Sequence, residues 1–144
     1  MNISQAWIIH WKILIIHLKV MENPKKCSLG ILEEKTYSFA LRIIKAYKYL
    51  NDKNVYVLFK QLLRSGTSIG ANCREATYAQ SKQDFISKLS ISLKETNETI
   101  YWLELLHDSN IISNESFESI HNDALEILKL LISIIKTSKS NMQK

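Results

Sequence analysis

The sequence predicts an all-α protein, an antiparallel up-down-up-down four-helix bundle. Three observations carry that expectation. Apolar residues recur at spacings of three and four in four successive stretches. Turn formers are scarce, with 3 Gly and 1 Pro in 144 residues, whereas a β-sandwich or barrel needs turn signals every 8–12 positions. Short polar breaks of the length that joins neighbouring helices separate the stretches. A hydrophobic content of 46% beside 23% charged residues also argues against intrinsic disorder.

The first helix is expected over residues 33–51. Tyr37, Ala40, Leu41, Ile44, Tyr47 and Leu50 make its inward stripe, with Arg42, Lys45 and Lys48 on another face. Asn51-Asp52-Lys53-Asn54 is the break that follows. A second helix, over 55–78, turns Leu58, Leu62, Ile69, Cys73 and Ala76 inward. Gly66 and Gly70 lie inside it. Each costs about 1 kcal/mol relative to Ala, so both point to close approach of a neighbouring helix.

Ser81-Lys82-Gln83-Asp84 reads as a turn ending in an N-cap, with Ser81 capping and Asp84 three residues on. The third helix, 82–107, carries Phe85, Leu89, Leu93, Ile100, Leu103 and Leu106 inward. Asp108-Ser109-Asn110 ends it, and Ser113 or Asn114 starts the fourth. That helix, 114–138, turns in Phe117, Ile120, Leu125, Leu128, Leu131, Ile132 and Ile135. Residues 139–144 are expected to fray, and 21–32 to form a flexible N-terminal segment ahead of the bundle, 33–138.

Residues 1–20 differ from the rest: no acid, two of three Trp and two of four His. Lys12, His10 and His17 are costly in a transmembrane helix, and no small-residue cleavage site follows for a signal peptide. An interfacial anchor is one reading. The favoured expectation is a doubtful leader translated from upstream, with Met21 as the start. The formal charge of +5 then becomes +3, because Lys12 and Lys19 are lost. Cys27 and Cys73 are expected as free thiols of a reduced, cytoplasmic protein, with no membrane partner.

The second helix also carries a polar stripe: Gln61, Arg64, Ser65, Ser68, Asn72 and Glu75 share one face. A solvated face usually holds Lys and Glu. Small polar residues suit either a hydrogen-bond network that fixes helix register or a subunit or ligand surface. The third helix bears Lys88, Glu95, Glu98 and Trp102 as a matching mixed stripe. A buried contact of Arg64 with Glu95 or with Glu98 is within reach, and the sequence does not choose between them.

The run Gln61 to Ala76, followed by Ser81 to Leu89 and by Leu93 to Leu103, resembles the four-helix-bundle proteins of the 23S rRNA intervening-sequence family. Glu34-Lys35-Thr36-Tyr37-Ser38-Phe39-Ala40 and Trp102-Leu-Glu-Leu-Leu fit the same pattern. The resemblance covers about residues 31–136. Among the residues that carry it are Gln61, Arg64, Ser65, Ser68, Asn72, Glu75, Phe85, Glu95, Glu98 and Trp102. It implies a left-handed bundle assembling as a homopentamer, with no established activity. A related branch, the accessory proteins of diversity-generating retroelements, is pentameric, basic and associated with nucleic acid and a reverse transcriptase. The +3 balance here is weaker than that branch's.

Three functional classes follow. The leading one is a non-enzymatic oligomer without cofactors that binds RNA or DNA through backbone charge. Its candidate contacts are Arg42, Lys45, Lys48, Lys60 and Arg74, against the plainer reading of a solvated helix surface. No base-reading motif is present. The second class is a protein adaptor that holds a partner enzyme on the Asn72/Glu75 surface. The remote third is a carboxylate-bridged metal protein, because Glu104-x-x-His107 and Glu118-x-x-His121 match a di-iron spacing. It lacks the two further Glu such a site needs.

Overall fold

The structure, a computed structural model, describes residues 24–50 and 56–142. The leader at 1–20 and the start at Met21 lie outside the described residues. The chain divides into a unit ending at Ile31 and a second unit from Leu32 to Lys144. Four helices form, α1 (Pro24–Leu50), α2 (Tyr56–Thr77), α3 (Lys82–Asp108) and α4 (Asn114–Ser140), and no strand occurs among the described residues. No helix among them is long and apolar enough to cross a membrane.

α1 starts nine residues before its expected origin. Pro24 has the φ a first turn requires and lacks only an N–H that would have no intrahelical acceptor there. The expected flexible segment 21–32 is therefore helical from Pro24 onward. α4 likewise continues to Ser140, two residues beyond its expected end at 138.

The caps follow side-chain chemistry. Ser81, extended at φ −149° and ψ 164°, accepts from the Asp84 amide at 3.1 Å. The Asp84 carboxylate in turn accepts from the Gln80 amide at 3.2 Å. Ser113, rather than Asn114, caps α4, accepting from the Ser116 amide at 3.2 Å.

The core corrects the expected inward faces. In α1 the buried residues are Leu32, Thr36, Phe39 and Ile43, not the predicted stripe. Tyr37, Leu41 and Ile44 lie outward at 52%, 43% and 37% exposure. Both sets have helical spacing. Thr36 breaks the apolar look of the true one, although its hydroxyl is satisfied by donating to the Glu33 carbonyl at 3.1 Å.

The same effect recurs in α3, whose buried face runs through Ser92, Thr96 and Thr99, leaving Phe85 and Leu93 half-buried. In α2, Phe59 is buried and Leu58 is not fully so; in α4, Ala124 and Ile127 join Leu131 and Ile135, while Ile132 is exposed.

α1 and α2 meet closely at the two glycines. A Cβ at Gly66 would lie 2.9 Å from Ile43 Cγ1, and one at Gly70 would lie 3.3 Å from the Thr36 carbonyl oxygen. The Thr77 hydroxyl donates to Glu33 Oε1 at 2.6 Å along the same seam. Contacts between neighbouring helices run in opposite order along the chain: Glu33 meets Thr77 while Ile43 meets Gly66, and Ser65 meets Thr99 while Glu75 meets Lys88.

Candidate functional site: an interhelical polar cluster

Two layers of polar residues join α2 to α3. The inner layer is buried. Thr99 Oγ1 donates to Ser65 Oγ at 2.9 Å, and the Ser92 hydroxyl donates to the Ile69 carbonyl at 2.9 Å. Cys73 Sγ lies 3.1 Å from Ser92 Oγ. Burial pushes the Cys73 thiol up to about 11. Side chains this small let two helix backbones approach, and every buried side-chain polar atom among the described residues has a partner.

The outer layer centres on Arg64, about half exposed. It makes both of the contacts the sequence left open, to Glu95 Oε2 at 3.3 Å and to Glu98 Oε1. Its Nε donates to Gln61 Oε1 at 3.3 Å, and Trp102 Nε1 donates to Glu98 Oε1 at 3.1 Å. The Arg64 bond, followed by the Trp102 bond, holds the Glu98 carboxyl below the usual carboxylate range, and Glu98 raises Arg64. The expected burial of this pair is corrected: a guanidinium on the α2 rim stays about half exposed while its two carboxylate partners sit on α3.

Glu75 pairs with Lys88 farther along, raising the ammonium pKa through that bond. The other stripe residues turn back on their own helix. Ser68 donates to the Arg64 carbonyl at 2.7 Å and Asn72 Nδ2 to the Ser68 carbonyl at 2.8 Å. Phe85 is half-buried and takes no part in the cluster's hydrogen bonds.

The five candidate phosphate contacts separate into two groups. Arg42 is held by α4: it pairs with Asp123 and donates to Ser119 Oγ at 2.8 Å and to the Ser119 carbonyl at 3.2 Å. Its guanidinium is therefore engaged by acceptors on α4, unlike the cationic groups of the other four candidates. Lys45, Lys48, Lys60 and Arg74 are exposed and have no carboxylate partner among the described residues. Lys60 lies 5.9 Å from the Tyr56 ring centre and Arg74 lies 6.0 Å from that of Tyr37. Arg74 also borders a groove of about 110 Å³ between α1 and α2, lined by Thr36, Ala40, Thr67 and Gly70 among others.

The metal reading fails on geometry. Phe117 stacks on His107 at 4.3 Å and on His121 at 4.7 Å, so a benzene ring stands between the two imidazoles. Among the described residues no three His, Cys, Asp or Glu side chains converge on a metal position.

The hydroxyl seam and the aromatic stack were not foreseen. The seam had a readable signal, because Leu89, Ser92, Thr96, Thr99 and Leu103 recur at spacings of three and four. In the stack, Phe117 and His121 are readable as neighbours four apart on one helix, whereas the His107 contact depends on how the α3–α4 turn closes.

The fold and this cluster define an all-α helical protein in which a set of polar side chains ties neighbouring helices together. The chain belongs to the 23S rRNA-intervening sequence protein family, whose model matches residues 31–133. A solved structure of a protein of unknown function from the S23 ribosomal protein family of Bacteroides thetaiotaomicron VPI-5482 is 57% identical to it. The two superpose with a TM-score of 0.74 over 76% of this chain and 98% of that one. No curated protein matches the chain.

Proposed function

We propose that this protein is a non-enzymatic, homo-oligomeric antiparallel up-down-up-down bundle that binds RNA or DNA through phosphate charge. The observation that carries the reading is the set of exposed cations Lys45, Lys48, Lys60 and Arg74 on α1 and α2, none of them paired with a carboxylate among the described residues. On the same two helices Lys35, Arg42 and Arg64 are paired with carboxylates of another helix, as is Lys88 of α3, whereas Lys82, Lys94, Lys129, Lys136 and Lys139 add exposed cations of α3 and α4 with no carboxylate partner among the described residues. The opposite order of interhelical contacts supports the antiparallel arrangement. The outward apolar residues Tyr37, Leu41 and Ile44 support association of copies along α1. A homopentamer is the assembly that the family resemblance implies, and it would gather the four cations five times over.

Light scattering of the full chain, alone and with a generic single-stranded RNA at two salt concentrations, tests the reading. A pentamer that binds at low salt and releases as salt rises is the expected result. A monomer, or no binding at low salt, overturns it. Co-purification of a protein that survives nuclease treatment favours the adaptor reading instead.

A further inference from the structure

The Glu-x-x-His spacings of α3 and α4 build something other than a metal site. His107 lies one residue before the end of α3 and Asn114 opens α4, on the two sides of a turn whose Asn110 adopts the left-handed φ of 57°. His107 Nε2 lies 2.7 Å from Asn114 Oδ1, and its Nδ1 lies 3.1 Å from Asp108 Oδ1. Both ring nitrogens face oxygen acceptors. A neutral imidazole carries one N–H and can satisfy only one of them; the imidazolium donates to both. The ring also lies flat on Phe117, with interplanar angle 18°, where a cation is attracted by the aromatic face. His121 backs the other side of Phe117 at 27°, its Nε2 being 3.7 Å from Glu104 Oε1.

We propose that His107, Phe117 and His121 form a proton-operated clasp on the α3–α4 turn, closed when His107 takes a proton from solvent. The charged groups around it are acidic on both elements: Glu104 and Asp108 from α3, Glu118 from α4. No charged group of α1 or α2 pairs with either imidazole among the described residues. The Asn114 bond, then the Asp108 bond, raise the His107 pKa above its usual value. The clasp's contribution is therefore complete below the ordinary imidazole pKa and is lost as pH rises through the elevated folded value.

Imidazole NMR titration of the full chain tests this, together with amide-exchange protection at Ile111 and Ile112, whose N–H groups bond the Leu106 carbonyl across the turn. The His107 midpoint is expected above that of a free imidazole, and to fall in Asn114→Ala and in Asp108→Asn. Protection factors at Ile111 and Ile112, corrected for intrinsic rates, are expected to drop several-fold between pH 5 and pH 8. His107→Gln should abolish that drop. A midpoint at or below the free value, or an unchanged pH dependence in both His107→Gln and Asn114→Ala, overturns the proposal.

Discussion

The carbonyl oxygen of Thr36 lies 3.3 Å from the place a Cβ would occupy on Gly70. α1 and α2 are thus in backbone contact at that level, and a methyl group has a rigid neighbour. One turn earlier, Gly66 faces the fully buried Ile43, whose two γ carbons lie 2.9 and 3.1 Å from the corresponding Cβ.

Gly66→Ala is therefore expected to destabilise by about 1–2 kcal/mol in urea melts, overpacking outweighing the helix-propensity gain of about 1 kcal/mol. Ile43→Ala alone should cost about 2–5 kcal/mol. The double variant should be less destabilised than the two effects added, because the new methyl enters the space the isoleucine left. Strict additivity would show that the two residues do not press on one another.

How far the sequence reached is visible at these positions. Gly66 and Gly70 were readable as close-approach sites, because nothing else justifies glycine inside a helix. The inward face of α1 was not readable. Leu32, Thr36, Phe39 and Ile43 compete with Tyr37, Leu41 and Ile44 at the same spacing, and residue hydrophobicity does not separate the two sets. Pattern reading assumes one apolar face per helix, and α1 has two. The Arg64 cluster was legible because its partners are charged and spaced by whole turns; the freedom of Lys45 and the engagement of Arg42 depended on where α4 falls.

Removing the inner hydroxyls tests the seam. Thr99→Val keeps the shape but deletes the bond to Ser65, and Ser92→Ala deletes the bond to the Ile69 carbonyl. Each should cost about 1–2 kcal/mol, with Ser92→Ala the larger, since it strips a carbonyl acceptor of that bond. Equal or higher stability in both variants would mean the seam contributes packing only.

The Cys73 thiol should be chemically inert in the folded protein. A pKa of about 11 leaves roughly one thiol in a thousand ionised at pH 8, some hundredfold below an ordinary cysteine, before burial is counted. In a Cys27→Ser background, reaction with a disulfide reagent should be slow until denaturant is added. Prompt reaction under native conditions would contradict the burial of Cys73.

Acid stability should report the outer cluster. The Glu98 pKa is lowered in the fold by Arg64 and Trp102, so its contribution is present above the ordinary glutamate pKa. It is lost as pH falls through the depressed folded value. Glu98→Gln should flatten that acid limb while changing stability near neutrality by less than about 1 kcal/mol, because the pair is partly solvated. An acid limb unchanged in the variant would assign it to other carboxylates.

Most buried hydroxyls also have a carbonyl acceptor within reach in their own helix: that of Glu33 for Thr36, of Leu62 for Ser65, of Ser92 for Thr96 and, as the alternative to Ser65, of Glu95 for Thr99. Sliding one helix along its neighbour would therefore leave few polar groups stranded. Register rests on a handful of discrete stops, among them the two glycine contacts and the bonds from Thr99 to Ser65 and from Ser92 to Ile69. A variant stripped of those stops should stay helical and collapsed while its side chains lose their fixed neighbours, so that specificity of packing, and not compactness, is the property this seam controls.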